Sequence, residues 1–264
     1  MRARLTGVLC CAALLLGAAW AQQDGGKTFD HSRWARVLKH YARDGWVDYA
    51  RLKRSPQTLD LYLLDLARAD MSGLDRNEKI ALYINAYNAF TVKLILEYYP
   101  DIKSIKDISR FKRWQPSRWS IGGRFYSLDE VENDVLRKQF GEPRVHFALV
   151  CASLGCPDLR GEMYVGARLD EQLDAAARRF LASPKGLRVD RRSGTLHLSS
   201  IFKWYKDDFA AAAGDVPSYV ARYADAPAAA WIRARKADLR VRYMDYDWHL
   251  NDVKNRPEGG PPLP

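Results

Sequence analysis

Apolar side chains occupy almost every face of the helical register between Lys79 and Glu97, with Ile80, Leu82, Ile84, Ala86, Phe90, Val92, Leu94, Ile95 and Leu96 leaving no polar stripe. A helix apolar all round is a buried one, so this stretch predicts a central core helix that stops before Pro100. Asp75 and Glu78 precede it as an N-terminal capping pair. Elsewhere the pattern is one-sided. Trp34, Val37, Leu38 and Tyr41 predict a helix over about 28–42. Leu59, Leu61, Leu63 and Leu64 predict one over 55–69, and Leu169, Leu173, Ala177 and Phe180 one over 168–182.

Ser127 and Glu130 cap an acidic helix running to about Phe140, and Val145–Val150 is a short apolar run that reads as an inner strand. Gly122-Gly123 between strand-like flanks predicts a hairpin over 120–126. Leu187–Val189 and Thr195–Leu198 predict a second hairpin, turning through 191–194. Ser199 or Ser200 caps a helix carrying Phe202, Trp204, Tyr205 and Phe209. Two short helices near Pro217 and Pro227 and a strand from Leu239 to about Tyr246 complete the order. Helices dominate the first half and mostly antiparallel strand signals the second. The fold class is therefore α+β, a central buried helix on a small, mostly antiparallel sheet, and not a doubly wound nucleotide-binding sheet.

The ends read differently. Arg2 and Arg4, the apolar stretch Leu5–Ala18, and Ala19-Trp20-Ala21 have the three parts of a cleaved secretory signal over 1–21. The apolar stretch is too short for a membrane span of ~20 residues, and no other segment approaches that length. Residues 22–253 are expected to form one globular domain, and 254–264 a Gly- and Pro-rich disordered tail. The formal charge is +10, spread over 110–118, 188–192 and 231–242. A basic surface of this kind suits an anionic envelope component or lipid headgroups, or serves solubility alone. Export to the periplasm or medium argues against nucleic acid as a partner.

Only Cys151 and Cys156 remain beyond the signal, too few for a disulfide scaffold. They stand at a turn of small residues, with Ser153 between them and Pro157 after. Three readings stay open: a nucleophilic thiol, a local bridge, or inert packing. His146 is a candidate base. In an extended strand, five steps of ~3.3 Å set it about 16 Å from Cys151 on the opposite face, so a dyad requires a bend. His197 and His249 are alternatives, while His31 and His40 read as surface residues.

Asn85 and Asn88 lie on one side of the core helix, and a buried carboxamide must be hydrogen-bonded. They serve either to orient a catalytic histidine or bind a substrate amide, or to tie down a neighbouring loop. Alternation sets Asp245, Asp247 and His249 on one strand face, an acid–histidine pair or simply a solvated edge. Glu130, Glu132 and Asp134 complement a helix dipole, and Cys-x4-Cys with one near histidine is not a zinc ligand set. There is no P-loop and no dinucleotide fingerprint, so no metal or cofactor is expected.

Taken in order, several segments resemble one family. They are Tyr83-Ile84-Asn85-Ala86-Tyr87-Asn88-Ala89-Phe90, Ser104–Ile108, Ser127–Glu130, Arg144–Leu149, Cys151 with Ser153-x-x-Cys156-Pro157, Leu198–Tyr205 and Asp245–Asn251. The series, over about 75–251, resembles the domain of unknown function 547 family, which includes exported bacterial and larger plant proteins. The resemblance implies a role for Cys151 that does not need Cys156, because some members lack the second cysteine. It also matches His146 to the family's histidine, and not His197 or His249. The leading expectation is an exported thiol enzyme of papain or transglutaminase type. In it Cys151 attacks an amide or peptide bond, His146 is the base, and Asn85 or Asn88 orients base or carbonyl. The rival is a non-catalytic envelope-binding module using the same cleft. A thiol–disulfide oxidoreductase is a third reading, disfavoured by the Cys-x4-Cys spacing.

Overall fold

The computed structural model describes residues 26–257. The signal expected over 1–21 and residues 258–264 of the tail expected over 254–264 lie outside the described residues, while Val253–Asn255 forms a 3₁₀ turn. Helix α1 (Ser32–Tyr41) leads into the short hairpin β1 (Ala42–Arg43) and β2 (Trp46–Val47). Then come α2 (Tyr49–Arg54), α3 (Gln57–Ala67) and the long α4 (Arg76–Tyr98). A 3₁₀ turn (Ile105–Asp107) and α5 (Arg110–Arg113) precede the hairpin β3 (Trp119–Ile121) and β4 (Arg124–Tyr126). A π-helix (Glu130–Gln139) and a 3₁₀ turn (Pro143–Phe147) come next. The second half holds α6 (Leu169–Ala182), β5 (Leu187–Asp190), β6 (Thr195–Leu198), α7 (Ile201–Trp204), α8 (Lys206–Ala213), α9 (Val216–Tyr223), α10 (Ala226–Ala234) and β7 (Arg240–Tyr243).

The class is α+β. Strands pair as β1–β2, β3–β4 and β5–β6–β7, antiparallel except for the parallel β6–β7 ladder. Helix α4 is buried from Ile80 to Val92 without a break. It packs on the β3–β4 hairpin through Phe90 stacked on Trp119 and Tyr83 edge-on to Tyr126. Gly122 and Gly123 both have positive φ, as a two-residue hairpin turn requires.

Several local expectations are corrected. The helix expected over 55–69 is present as α3, but its inward face differs from the expected one. The buried face of α3 is Leu59, Tyr62 and Leu66, whereas Leu61 and Leu64 are exposed. Asp75 caps α4 through the Glu78 N–H, but the Glu78 carboxylate accepts from Gly166 N instead of completing a capping box. The helices expected over 168–182 and near Pro217 and Pro227 are present as α6, α9 and α10, whereas the one expected after Ser199 or Ser200 divides at Tyr205 into α7 and α8. The strand expected through Tyr246 ends at Tyr243.

His31 is not a surface residue. It is 2% exposed, with Nδ1 2.7 Å from the Tyr62 hydroxyl, while His40 is exposed as expected. Burial lowers the His31 pKa to about 4. The folded state therefore excludes a proton that the unfolded chain binds below pH ~6.5, so stability is complete above ~6.5 and falls as pH drops toward about 4. At the low end the loss is about 3 kcal/mol. Urea unfolding of wild type and His31→Gln at neutral and acid pH should show that excess loss in the wild type only.

The hydrophobic interior forms two clusters. One surrounds α4. The other gathers Phe147, Phe202, Phe209 and Tyr219 with α6, α9 and α10, and Phe202 and Phe209 have ring centroids 4.9 Å apart. The functional side chains lie where the two clusters meet.

Candidate functional site

The segment 143–150 is not a strand. Pro143 starts a 3₁₀ turn, capped by the Glu142 carboxylate accepting from Arg144 N at 3.1 Å. Three residues per turn point consecutive side chains in three directions. Val145 enters the first cluster, Phe147 the second, and His146 between them lines a cavity of 750 Å³. This is the bend that the extended reading lacked, and Cys151 and Cys156 line the same cavity.

His146 is fixed from two sides. Its Nε2 lies 2.7 Å from Asp208 Oδ2, and its ring stacks on Tyr205 with centroids 3.8 Å apart. Its Nδ1 has no hydrogen-bond partner among the described residues. With Nε2–H donating to Asp208, Nδ1 keeps its lone pair. Asp208, at the start of α8, also accepts from Arg137 Nε at 2.7 Å and Nη2 at 3.0 Å. Burial pushes its carboxyl up, but the hydrogen bonds and charges of His146 and Arg137 outweigh burial and hold it well below the usual carboxylate range. Sequence reasoning missed Asp208. The helical pattern over Phe202–Phe209 is legible, although Tyr205 divides it into α7 and α8, but nothing in the pattern ties position 208 to position 146.

Cys151 and Cys156 are joined by a disulfide with Cα atoms 6.3 Å apart, Cys151 half-buried and Cys156 buried. Of the three readings of the pair the structure holds the bridge, so no free thiolate exists in this state. The Tyr246 hydroxyl reaches both sulfurs, at 3.0 Å from Cys156 Sγ and 3.4 Å from Cys151 Sγ. Ala152 carries a positive φ of 61°. That conformation costs a residue with a Cβ about 1–2 kcal/mol. The loop is held by Asn251 N donating to Ala152 O at 3.1 Å and by a bridge between Ser153 and Leu250. Ser153 is buried, its hydroxyl 3.4 Å from Cys151 O.

Asn85 and Asn88 do not reach His146. Asn85 donates to Tyr164 O at 2.8 Å and accepts from Tyr164 N at 3.0 Å. Asn88 donates to Ala148 O at 3.0 Å and accepts from Val150 N at 2.9 Å. The orienting role is corrected to the loop-tying one. Asn88 pins the three-residue link between the histidine turn and Cys151.

Asp247 and His249 do pair, with His249 Nδ1 2.7 Å from Asp247 Oδ1. They do so at the exposed surface and outside any strand, so they are not brought to His146. Asp247 instead receives Gly155 N on its backbone carbonyl at 2.8 Å. His197 sits on β6 opposite Arg188.

Acidic residues of the π-helix serve the cavity wall. Glu132 accepts from the Tyr87 hydroxyl at 3.0 Å and the Tyr205 hydroxyl at 2.5 Å. Burial, with the Glu132 charge, pushes both phenols far above their ordinary range and keeps them neutral donors. Among the described residues no group of His, Cys, Asp and Glu has the arrangement of a metal site. The cavity is also lined by Trp114, Trp204 and Trp248 and by Arg110 and Arg113, of which Trp204 and Arg110 are exposed. Chemically, the arrangement offers a sulfur centre, a carboxylate-held imidazole and neutral phenolic donors around one aromatic-walled cavity.

The family model described as "Protein of unknown function, DUF547" matches residues 71–181. The match takes in α4, the π-helix, His146 and the cysteine loop. It ends before Leu198–Tyr205 and Asp245–Asn251, which the sequence resemblance also included. No curated protein and no solved structure matches the chain.

Proposed function

We propose, for a chain that belongs to the DUF547 family, that the cavity is the active site of an exported thiol enzyme acting on amide or peptide bonds, with Cys151 the nucleophile once its bridge to Cys156 is reduced. A dithiol supplies the two electrons and two protons that convert the bridge to two thiols. His146 Nδ1 then takes the Cys151 proton, and Sγ attacks the carbonyl carbon. The C–S bond forms and the C–N bond breaks, the amine leaving with the proton from His146. Water or a second amine releases the acyl group from sulfur. Asp208 holds the imidazole by Nε2 and stabilises its charged form, the part a carboxylate plays in a nucleophile–histidine–acid set.

The observation that carries this reading is the 2.7 Å His146–Asp208 pair on a cavity that Cys151 also lines. The second reading, a non-catalytic binding module, is favoured by the bridge itself and by the full commitment of Asn85 and Asn88 to backbone groups.

The deciding experiment is the pH dependence of iodoacetamide alkylation at Cys151 after reduction, in wild type and His146→Ala, with mass spectrometry locating the label. An ordinary thiol is largely protonated below pH ~8.5 and reacts slowly there. The enzyme reading expects alkylation to stay fast near pH ~6 in the wild type and to slow by at least ~10²-fold in the variant. A rate that follows an ordinary thiol and ignores His146 leaves the binding module.

A further inference from the structure

Beside the cavity the chain carries a charge imbalance that the site chemistry does not use. From Lys103 to Tyr126 there are seven basic side chains and one acid, Asp107. The Asp107 carboxylate is spent on the backbone N–H groups of Lys103 and Ser104. Arg118 pairs with Glu97, but Arg110, Lys112 and Arg113 have no carboxylate partner among the described residues. Arg113 donates only to the carbonyls of Ile105 and Ile108, and burial together with Arg110 lowers its pKa.

Within this basic stretch stand the two most exposed large apolar side chains of the described residues, Phe111 at 76% and Phe125 at 60%. Phe111 lies on α5 between Arg110 and Lys112, one turn from Trp114. Neither phenylalanine has a ring contact or a core neighbour among the described residues. On β4, Phe125 faces outward while its neighbour Tyr126 is buried, as strand alternation requires.

An exposed phenyl ring flanked by unneutralised guanidinium and ammonium groups matches a bilayer surface. There the ring enters the headgroup–acyl boundary and the cations meet lipid phosphates. A soluble anionic polymer would satisfy the cations but leave Phe111 in water. We propose that the α5 segment docks this protein on an anionic lipid surface, with the cavity at the bilayer. Arg110, Arg113 and Trp114 belong to this segment and also line the cavity, so docking through it sets the cavity beside the bilayer. The inference does not depend on Cys151 being a nucleophile, and its test never touches the sulfur chemistry.

The test is co-sedimentation of the processed protein, beginning at Gln22, with vesicles of phosphatidylglycerol mixed into phosphatidylcholine, against pure phosphatidylcholine. Lys112→Glu and Phe111→Ser are the informative variants, because neither side chain lines the cavity. Binding is expected on the mixed vesicles, at least ~10-fold weaker on pure phosphatidylcholine, and weakened by salt. Each variant should weaken it ~5-fold or more while its melting temperature stays at the wild-type value. In Phe111→Trp, brominated acyl chains should quench the fluorescence that the introduced indole adds. Equal binding to both vesicles, binding indifferent to both variants, or an introduced indole that the bromines leave unquenched overturns the proposal. So does binding to heparin that follows the same variants without any binding to vesicles.

Discussion

Asp208→Asn is expected to slow alkylation of reduced Cys151 by roughly 10²-fold near neutral pH, the lower end of what a positioned acid–base group contributes. Asparagine has the same shape and can still bond His146 Nε2. It brings no charge to hold the imidazole in its protonated form, and its amide admits the wrong tautomer. His146→Ala should cost at least as much, and the double variant little more than either single one, because the two side chains act as a unit. Arg137 loses its bidentate carboxylate in the same variant, so thermal unfolding must be measured alongside. A lowered melting temperature with unchanged alkylation would assign Asp208 a purely architectural role. Asp208→Glu, which restores the charge, should recover part of the rate.

Asn88→Ala should be among the most destabilising single changes in the chain, at about 3–5 kcal/mol. It strips partners from two backbone groups, Ala148 C=O and Val150 N–H, inside a region closed to water. Each buried group left unpaired costs about 1–3 kcal/mol. Urea unfolding gives the total. Hydrogen exchange should add that the amides of 148–156 open more readily than those of α6, because Asn88 clamps the link between the histidine turn and Cys151. Asn85→Ala should cost a similar amount and loosen the chain around Tyr164 instead. If exchange at 148–156 stays at the wild-type rate, Asn88 does not hold that link.

The sequence pattern reveals much of this fold where a single element decides burial. Helix α4 is legible because every face is apolar, and the β3–β4 hairpin because two adjacent glycines supply the positive φ its turn needs. The pattern misleads where one segment serves two cores. Val145, Phe147 and Val150 look like an inner strand because strand and buried turn present the same run of apolar letters. Only the threefold winding, which sends successive side chains to different clusters, tells them apart. The buried face of α3 is hidden for a related reason: Leu61 and Leu64 face solvent while Tyr62 is buried against Trp34 of α1.

At the site, the cysteine turn and His146 are legible as chemistry. Asp208 is not, since its partnership with His146 spans 62 positions and arises only when α8 docks on the histidine turn. The acidic run at 130–134 reads as dipole compensation. Winding as a π-helix, it also turns Glu132 inward to receive two phenols, and no local pattern announces that.

The Cys151 loop has one further consequence. Its outer edge is stitched by Leu250 and Asn251, and Asn251 also receives the Tyr49 hydroxyl and donates to Gly45 O. Three stretches far apart in the chain therefore close on one knot. Contacts of such separation form late in folding, after the entropy of the intervening loops has been overcome. During synthesis, residues 45–49 and the cysteines emerge long before the residues that fasten them. A nascent or clipped chain thus has no finished site, and its two sulfurs stay open to whatever oxidant or isomerase meets them first.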